Sequence, residues 1–228
     1  MQNSKNLLIF DLDGTLVDSN RDLIPALNAA TDTVGLAPIS MEDVGHVVGQ
    51  GALKMIEKAF EFHDQKLEVG GTIHKTLLDR FLQHYDDHIA DETVFFPGTL
   101  ASLTLLSKKG WELAVCTNKY ERFAVKLLTE LGELQRFCVV TGGDTFAMKK
   151  PDPAHLIETA RLAGANPNNC IMVGDSINDI AAAKAANMPV IAVDFGYSDV
   201  PVSELKPDKI ISHFDELTEA ITQLTTQA

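Results

Sequence analysis

The sequence is poor in positive charge and in sulfur: 19 Lys and Arg stand against 32 Asp and Glu, and only three cysteines occur in 228 residues. A formal charge of -13 repels phosphodiester backbones and anionic lipid, so neither nucleic acid nor a membrane surface is expected as a partner. Cys116, Cys138 and Cys170 are odd in number and far apart, each in or beside an apolar run. They read as buried free thiols, not as disulfides or a metal cluster, which points to a reducing, cytoplasmic compartment. No apolar run approaches the ~20 residues of a membrane span, and the N-terminal one is too short for a signal-peptide core. Internal repeats and low-complexity tracts are absent. The seven histidines lack zinc-site spacing, and the aromatics, Trp111 and Phe137 among them, read as core.

What is present is a regular alternation. Beyond residue 96, the β-rich runs "ELAVCT" (112–117), "FCVV" (137–140), "CIMVG" (170–174), "VIAV" (190–193) and "KIIS" (209–212) alternate with segments of helical period. Those helices lie near 99–109, 121–131, 153–163, 178–187 and 214–225. With "LLIF" (7–10) as a first strand, this predicts an α/β fold, a Rossmann-like three-layer core around a parallel sheet. Residues 15–95 break the alternation. From Asn20 to Ala90 the pattern is helical throughout, with apolar positions such as Leu23, Leu27 and Ala30, then Leu53, Ile56 and Phe60, then Leu77, Leu78, Phe81 and Leu82. "SNRD" (19–22) has the form of a capping box at the entrance, Asp18 is expected to help open that helix, and "FFPG" (95–98) marks the exit. The expected organisation is a core of 1–14 and 96–228 with an all-helical insert at 15–95.

Polar clusters fall just beyond four predicted strands: Asp11 with Asp13, Thr117 with Asn118, Lys150, and Asp175 with Asp179. In a parallel sheet these strand ends share one crevice. Carboxylates crowd together at a desolvation and repulsion cost when a divalent cation offsets it, and an all-oxygen ligand set suits magnesium. Leu16 and Asp22 argue against a calcium loop beginning at "DLDGT", because they stand where glycine and glutamate are needed.

"DLDGTLVDS", "CTNK", "KKPDP" and "GDSINDI" together resemble the four motifs of the haloacid dehalogenase superfamily, in its branch of magnesium-dependent phosphatases with a helical cap. "VGQGALKMIEKAF" (48–60) and "FGYSDVPVSELKPDKIISHFDEL" (195–217) resemble most the phosphoglycolate phosphatases of that branch. The resemblance implies hydrolysis of a small phosphate monoester, 2-phosphoglycolate before sugar phosphates or nucleotides. Asp11 is then the nucleophile, and Asp13 the acid that protonates the leaving alkoxide and later the base for water, with its proton retained by the negative charge around it. Magnesium is held by the Asp11 carboxylate, the Asp13 backbone carbonyl and the Asp175 carboxylate, with support from Asp179. Lys150, favoured over Lys149 by the "KPxP" pattern, pairs with the phosphate, and the Thr117 hydroxyl and Asn118 backbone N–H bind its oxygens. Gly49, Gln50 and Gly51 opening a helix, with Lys54, form a site for the substrate carboxylate.

Plainer readings stand beside these. Asn118 can cap the following helix with Glu121 completing a box, Lys150 can be an exposed loop lysine before an Asp152–Pro153 helix start, and Asp179 can be a first-turn acid. "GQG" can be a hinge, and it is no dinucleotide fingerprint because Lys54 occupies the third glycine position. Other activities compatible with parts of the pattern are a phosphosugar mutase and, from a different class, a phosphoryl-accepting signalling module. The second aspartate, Asp13, argues against carbon–halogen hydrolysis.

Overall fold

A computed structural model of the chain describes residues 5–43, 47–48 and 51–226. The chain divides into two compact units, Met1–Asp18 with Phe95–Ala228, and Ser19–Val94. The first unit therefore keeps residues 15–18, which the sequence pattern had assigned to the insert.

In the first unit, β1 (Lys5–Phe10), β4 (Glu112–Cys116), β5 (Val139–Thr141), β6 (Ala165–Gly174), β7 (Val190–Val193) and β8 (Lys209–Ile211) form one sheet in the order β5-β4-β1-β6-β7-β8, every pairing parallel. Helices α4 (Thr99–Lys108), α5 (Glu121–Glu130), α6 (Pro153–Leu162), α7 (Ile177–Ala185) and α8 (Leu217–Thr226) alternate with the strands. Leu7, Leu8, Ile9 and Phe10 are all fully buried, because a central parallel strand is covered on both faces. Each contributes roughly 1.5–3 kcal/mol of burial. Leu7, Ile9, Ala114, Cys116, Leu156, Met172, Ile180 and Val190 share one core cluster. Strand β6 begins five residues before the expected "CIMVG", through an Asn- and Pro-rich stretch whose composition reads as a loop and whose pairing with β1 is irregular.

Register sets up the site. Phe10 pairs with Val115 on one side and Val173 on the other, so the chain leaves all three central strands at one level. Asp11, Thr117 and Asp175 follow immediately. A short strand β2 (Val17–Asp18) comes next, and the Leu16 carbonyl accepts from the Phe96 N–H at 3.1 Å, beside β3 (Val94–Phe95).

The second unit carries α1 (Asn20–Thr31), α2 (Ala52–Phe62) and α3 (Thr72–Asp87). Leu23, Leu27, Ala30, Ile56, Phe60, Leu77 and Phe81 are buried as the helical period predicts, whereas Leu53 is exposed and Met55 takes the inward position. The "SNRD" capping box does not form: the Ser19 side chain makes no cap bond to the helix. Asp22 instead accepts from Glu92 N–H, Thr93 N–H and the Thr93 hydroxyl, tying the start of α1 to the end of the unit. Asp18 accepts from the Tyr197 hydroxyl at 2.7 Å and does not open the helix. Cys116 and Cys170 are buried, but Cys138, just ahead of the edge strand β5, is exposed, and Trp111 is half-buried.

Candidate active site

The tips of β1, β4 and β6 and the loop after β5 converge. Ligand oxygens of Asp11, Asp175 and Asp179 lie within 4.8 Å of one another. The Lys150 ammonium bridges two of them, 3.0 Å from Asp11 Oδ1 and 2.6 Å from Asp179 Oδ1, and donates also to the Cys116 carbonyl at 2.6 Å. Lys150 is 2% exposed, which sets aside the loop-lysine reading and separates it from exposed Lys149. Asp152 does cap α6, accepting from Ala154 N–H, and so fixes where the helix begins and where the lysine loop ends. The Lys150 backbone is held from both sides, by Asn118 Nδ2 on its carbonyl at 2.9 Å and by His155 Nδ1 on its N–H at 3.3 Å.

Asp175 is fixed by the Thr15 hydroxyl on Oδ1 and the Tyr197 N–H on Oδ2, both at 2.8 Å. The loop around it tolerates no side chain: a Cβ on Gly14, whose φ is +81°, would lie 2.5 Å from Asp175 Oδ2. Asp179 has two roles. Its Oδ2 accepts from Ser176 N–H and Oγ in a complete capping box on α7, while its Oδ1 faces Lys150. One side chain therefore both caps the first turn of α7 and pairs with Lys150.

Three ionised carboxylates against one ammonium would leave two negative charges in a buried place. Burial, with Asp179 and Asp11 nearby, pushes Asp175 up to about 8. Burial likewise raises Asp11 to about 6, with Lys150 opposing and Asp179 adding to the rise. Burial alone would lower Lys150, but Asp11 and Asp179 outweigh it and hold the ammonium above its ordinary value. His155 is pushed down to about 4 by burial and by Lys150, so it is a neutral imidazole. A divalent cation fits this cluster: the donors are all hard oxygens, and with all three carboxylates ionised one ammonium balances only one of their charges.

The cluster gives folding a pH dependence. An unfolded aspartate titrates near ~3.9, so carboxyls raised to about 6 and about 8 bind protons more tightly in the folded chain. Their protonated forms favour folding, and that stability is lost as pH rises through those values. His155 acts in the opposite sense, but only between about 6.5 and about 4. Between about pH 6.5 and 8.5 the melting temperature of the metal-free protein is therefore expected to fall. The increase in melting temperature caused by Mg2+ should grow over the same window, because fewer protons compete with the cation. A Mg2+ increment that shrank with rising pH would contradict this assignment of the cluster.

Asp13 lies outside the carboxylate trio. Lys119 Nζ lies 2.9 Å from both of its oxygens, so an ammonium stands where negative surroundings were expected. The "K" of "CTNK" was the available signal for this residue. Thr117 is buried and accepts from Lys119 N–H at 3.2 Å. Asn118 caps no helix: α5 starts after Tyr120, and Glu121 N–H donates to Asp144 at 2.7 Å. Gly51 stands at the N-terminus of α2, but Lys54 is paired along its own helix with Glu57 at 2.9 Å and Glu61 at 3.9 Å. Gly49 and Gln50 lie outside the described residues.

Comparison with known proteins decides the family. The family model described as haloacid dehalogenase-like hydrolase matches residues 8–193, from the strand before Asp11 to the end of β7. The chain belongs to the haloacid dehalogenase-like hydrolases. A hydrolase of that family is an enzyme, which sets aside the signalling-module reading. A phosphoglycolate phosphatase of Agrobacterium fabrum is 47% identical over 94% of this chain and 91% of its own length. Another from Mesorhizobium japonicum is 43% identical over 99% of this chain and 98% of its own. Among solved structures, a predicted phosphoglycolate phosphatase from Haemophilus somnus superposes with a TM-score of 0.87 at 30% identity, covering 96% of this chain and 99% of that one. In this family member, no helix among the described residues is long and apolar enough to cross a membrane.

Proposed function

We propose that the chain hydrolyses 2-phosphoglycolate to glycolate and phosphate in the cytoplasm, with magnesium and through an aspartyl-phosphate on Asp11. It is a phosphoric monoester hydrolase, as its family and curated relatives support. The observation that carries the mechanism is the Asp11, Asp175 and Asp179 trio, with Lys150 paired to Asp11 and Asp179.

An oxygen of Asp11 attacks phosphorus, the bond to the leaving alkoxide breaks with its electron pair on that oxygen, and Asp13 supplies the proton. Water then attacks the same phosphorus and gives its proton to Asp13, and the bond to Asp11 breaks, restoring both carboxyls. Lys150 would stabilise charge spread over the phosphoryl oxygens, which the Thr117 hydroxyl and the Asn118 backbone N–H would also bind. Bound magnesium, held by Asp11 and Asp175 with the Asp13 carbonyl and supported by Asp179, would neutralise the like charges of nucleophile and phosphate. The segment 15–95 would act as the cap that selects the ester and excludes water. With Lys54 engaged by Glu57, the contribution left to the start of α2 is its backbone N–H groups.

Phosphate release from a panel of esters tests this reading. The highest kcat/KM is expected for 2-phosphoglycolate, with activity abolished by chelation and restored by Mg2+. A higher kcat/KM for a hexose phosphate or a nucleotide would contradict the substrate assignment.

A further inference from the structure

Among the described residues, two ammonium groups pair with aspartates of the motif "DLD" at the sheet edge, and the mechanism above uses one. Lys150 serves the nucleophile half, committed to Asp11 and Asp179. Lys119 serves the other half, gripping both oxygens of Asp13, the group that addresses the leaving oxygen. Its side chain is 6% exposed and that of Asp13 is 17%, so the pair borders the site without being sealed in it.

The backbone under Lys119 is firmly set. Its N–H donates to Thr117 Oγ1 at 3.2 Å, and its carbonyl accepts from Gly143 N–H at 2.8 Å. Gly142 and Gly143 let two loops touch: a Cβ on Gly142 would lie 2.7 Å from the Lys119 carbonyl, and one on Gly143 2.6 Å from the Asn118 carbonyl. The ammonium is therefore delivered from a preorganised platform.

We propose that Lys119 is a specificity-determining residue for the substrate's carboxylate, exchanging one of its two contacts on Asp13 for that group when the ester binds. This inference rests on the reading of the chain as a phosphoglycolate phosphatase. The carboxylate oxygens of phosphoglycolate are three covalent bonds from the bridging oxygen, roughly 3 Å away. With Asp13 at hydrogen-bond distance from the bridging oxygen, about 2.7 Å, Lys119 at 2.9 Å from Asp13 comes within hydrogen-bond reach of the carboxylate. One Asp13 oxygen, the bridging oxygen, a carboxylate oxygen and the ammonium then close a ring of three hydrogen-bond contacts and the covalent span within the substrate. The exchange also frees one Asp13 oxygen to face the leaving group, while the other keeps its contact with the ammonium. Lys54, paired with Glu57 and Glu61, is the less available cation for this task.

The test uses the full-length Mg2+-loaded enzyme and two esters with leaving groups of equal length, 2-phosphoglycolate and 2-hydroxyethyl phosphate. The readout is the ratio of their kcat/KM values. Lys119→Met is expected to lower that ratio by about 10²-fold, the size of a lost charge-assisted contact, and Lys119→Arg to keep most of it. Lys119→Gln, which can still hydrogen-bond Asp13, is measured in parallel so that a folding failure of the Met variant leaves the test intact. A ratio unchanged within roughly threefold in a folded Met or Gln variant overturns the inference, and so does an equal fall on both esters. A wild-type enzyme without preference for 2-phosphoglycolate overturns the substrate reading together with this inference. A wild-type preference that survives in the folded variants overturns the inference alone.

Discussion

Asp11→Asn is expected to lower kcat by at least about 10⁴-fold while leaving the metal-free protein no less stable than the wild type. The loss follows from chemistry: the amide is nearly isosteric, but it is no nucleophile and a poor ligand for a hard cation. The preserved stability follows from charge. In the wild type, three carboxylates crowd together with one ammonium between Asp11 and Asp179, and burial already pushes Asp11 up to about 6. At pH 8 the neutral amide removes that penalty, so stability is expected to rise by about 1–2 kcal/mol, offset in part by the weaker partner left for Lys150. The Mg2+-induced gain in melting temperature should shrink in the variant. Thermal melting with and without Mg2+, beside steady-state turnover, separates these effects. A variant that turned over within about tenfold of wild type would remove Asp11 from the chemistry.

Lys150→Met should damage both fold and catalysis. The ammonium is almost fully buried and contacts Asp11, Asp179 and the Cys116 carbonyl, so its removal strands two carboxylates in a desolvated place. Breaking a buried pair from one side costs about 3–5 kcal/mol. Activity should fall by about 10²–10³-fold as well, because a charge aimed at the phosphoryl oxygens is gone. The double variant with Asp179→Asn distinguishes the two losses. It relieves one stranded charge, so denaturant unfolding is expected to show part of the stability restored while activity stays low. An unaltered unfolding midpoint in the single variant would contradict the central place given to Lys150.

Much of this site is legible in the sequence because a parallel sheet gathers its strand ends by geometry alone. Leu7–Phe10, Glu112–Cys116 and Val190–Val193 are short apolar runs with clear punctuation, and the polar residues that follow the first two had one crevice in which to meet. What was not legible depended on partners distant in the chain. Ser19 to Asp22 and Ser176 to Asp179 have the same Ser-x-x-Asp spacing, yet only the second forms a capping box. Asp22 is taken by Thr93 N–H, a competitor 71 residues away that no local pattern reveals. Asp13 was expected among negative charges and lies against Lys119, 106 residues on. Gly14 and Gly196 make room for the Asp175 side chain, a need that exists only once strand β6 is in place.

On the proposed mechanism a protein carboxylate, not water, first takes the phosphoryl group. The stereochemical course at phosphorus tests it without needing the intermediate to accumulate. An ester whose phosphoryl group is made chiral with sulfur and oxygen isotopes is hydrolysed in isotopically labelled water, and the configuration of the released thiophosphate is determined. Two successive in-line displacements, the first by Asp11 and the second by water, predict retention. Inversion would mean a single direct attack by water and would contradict the account.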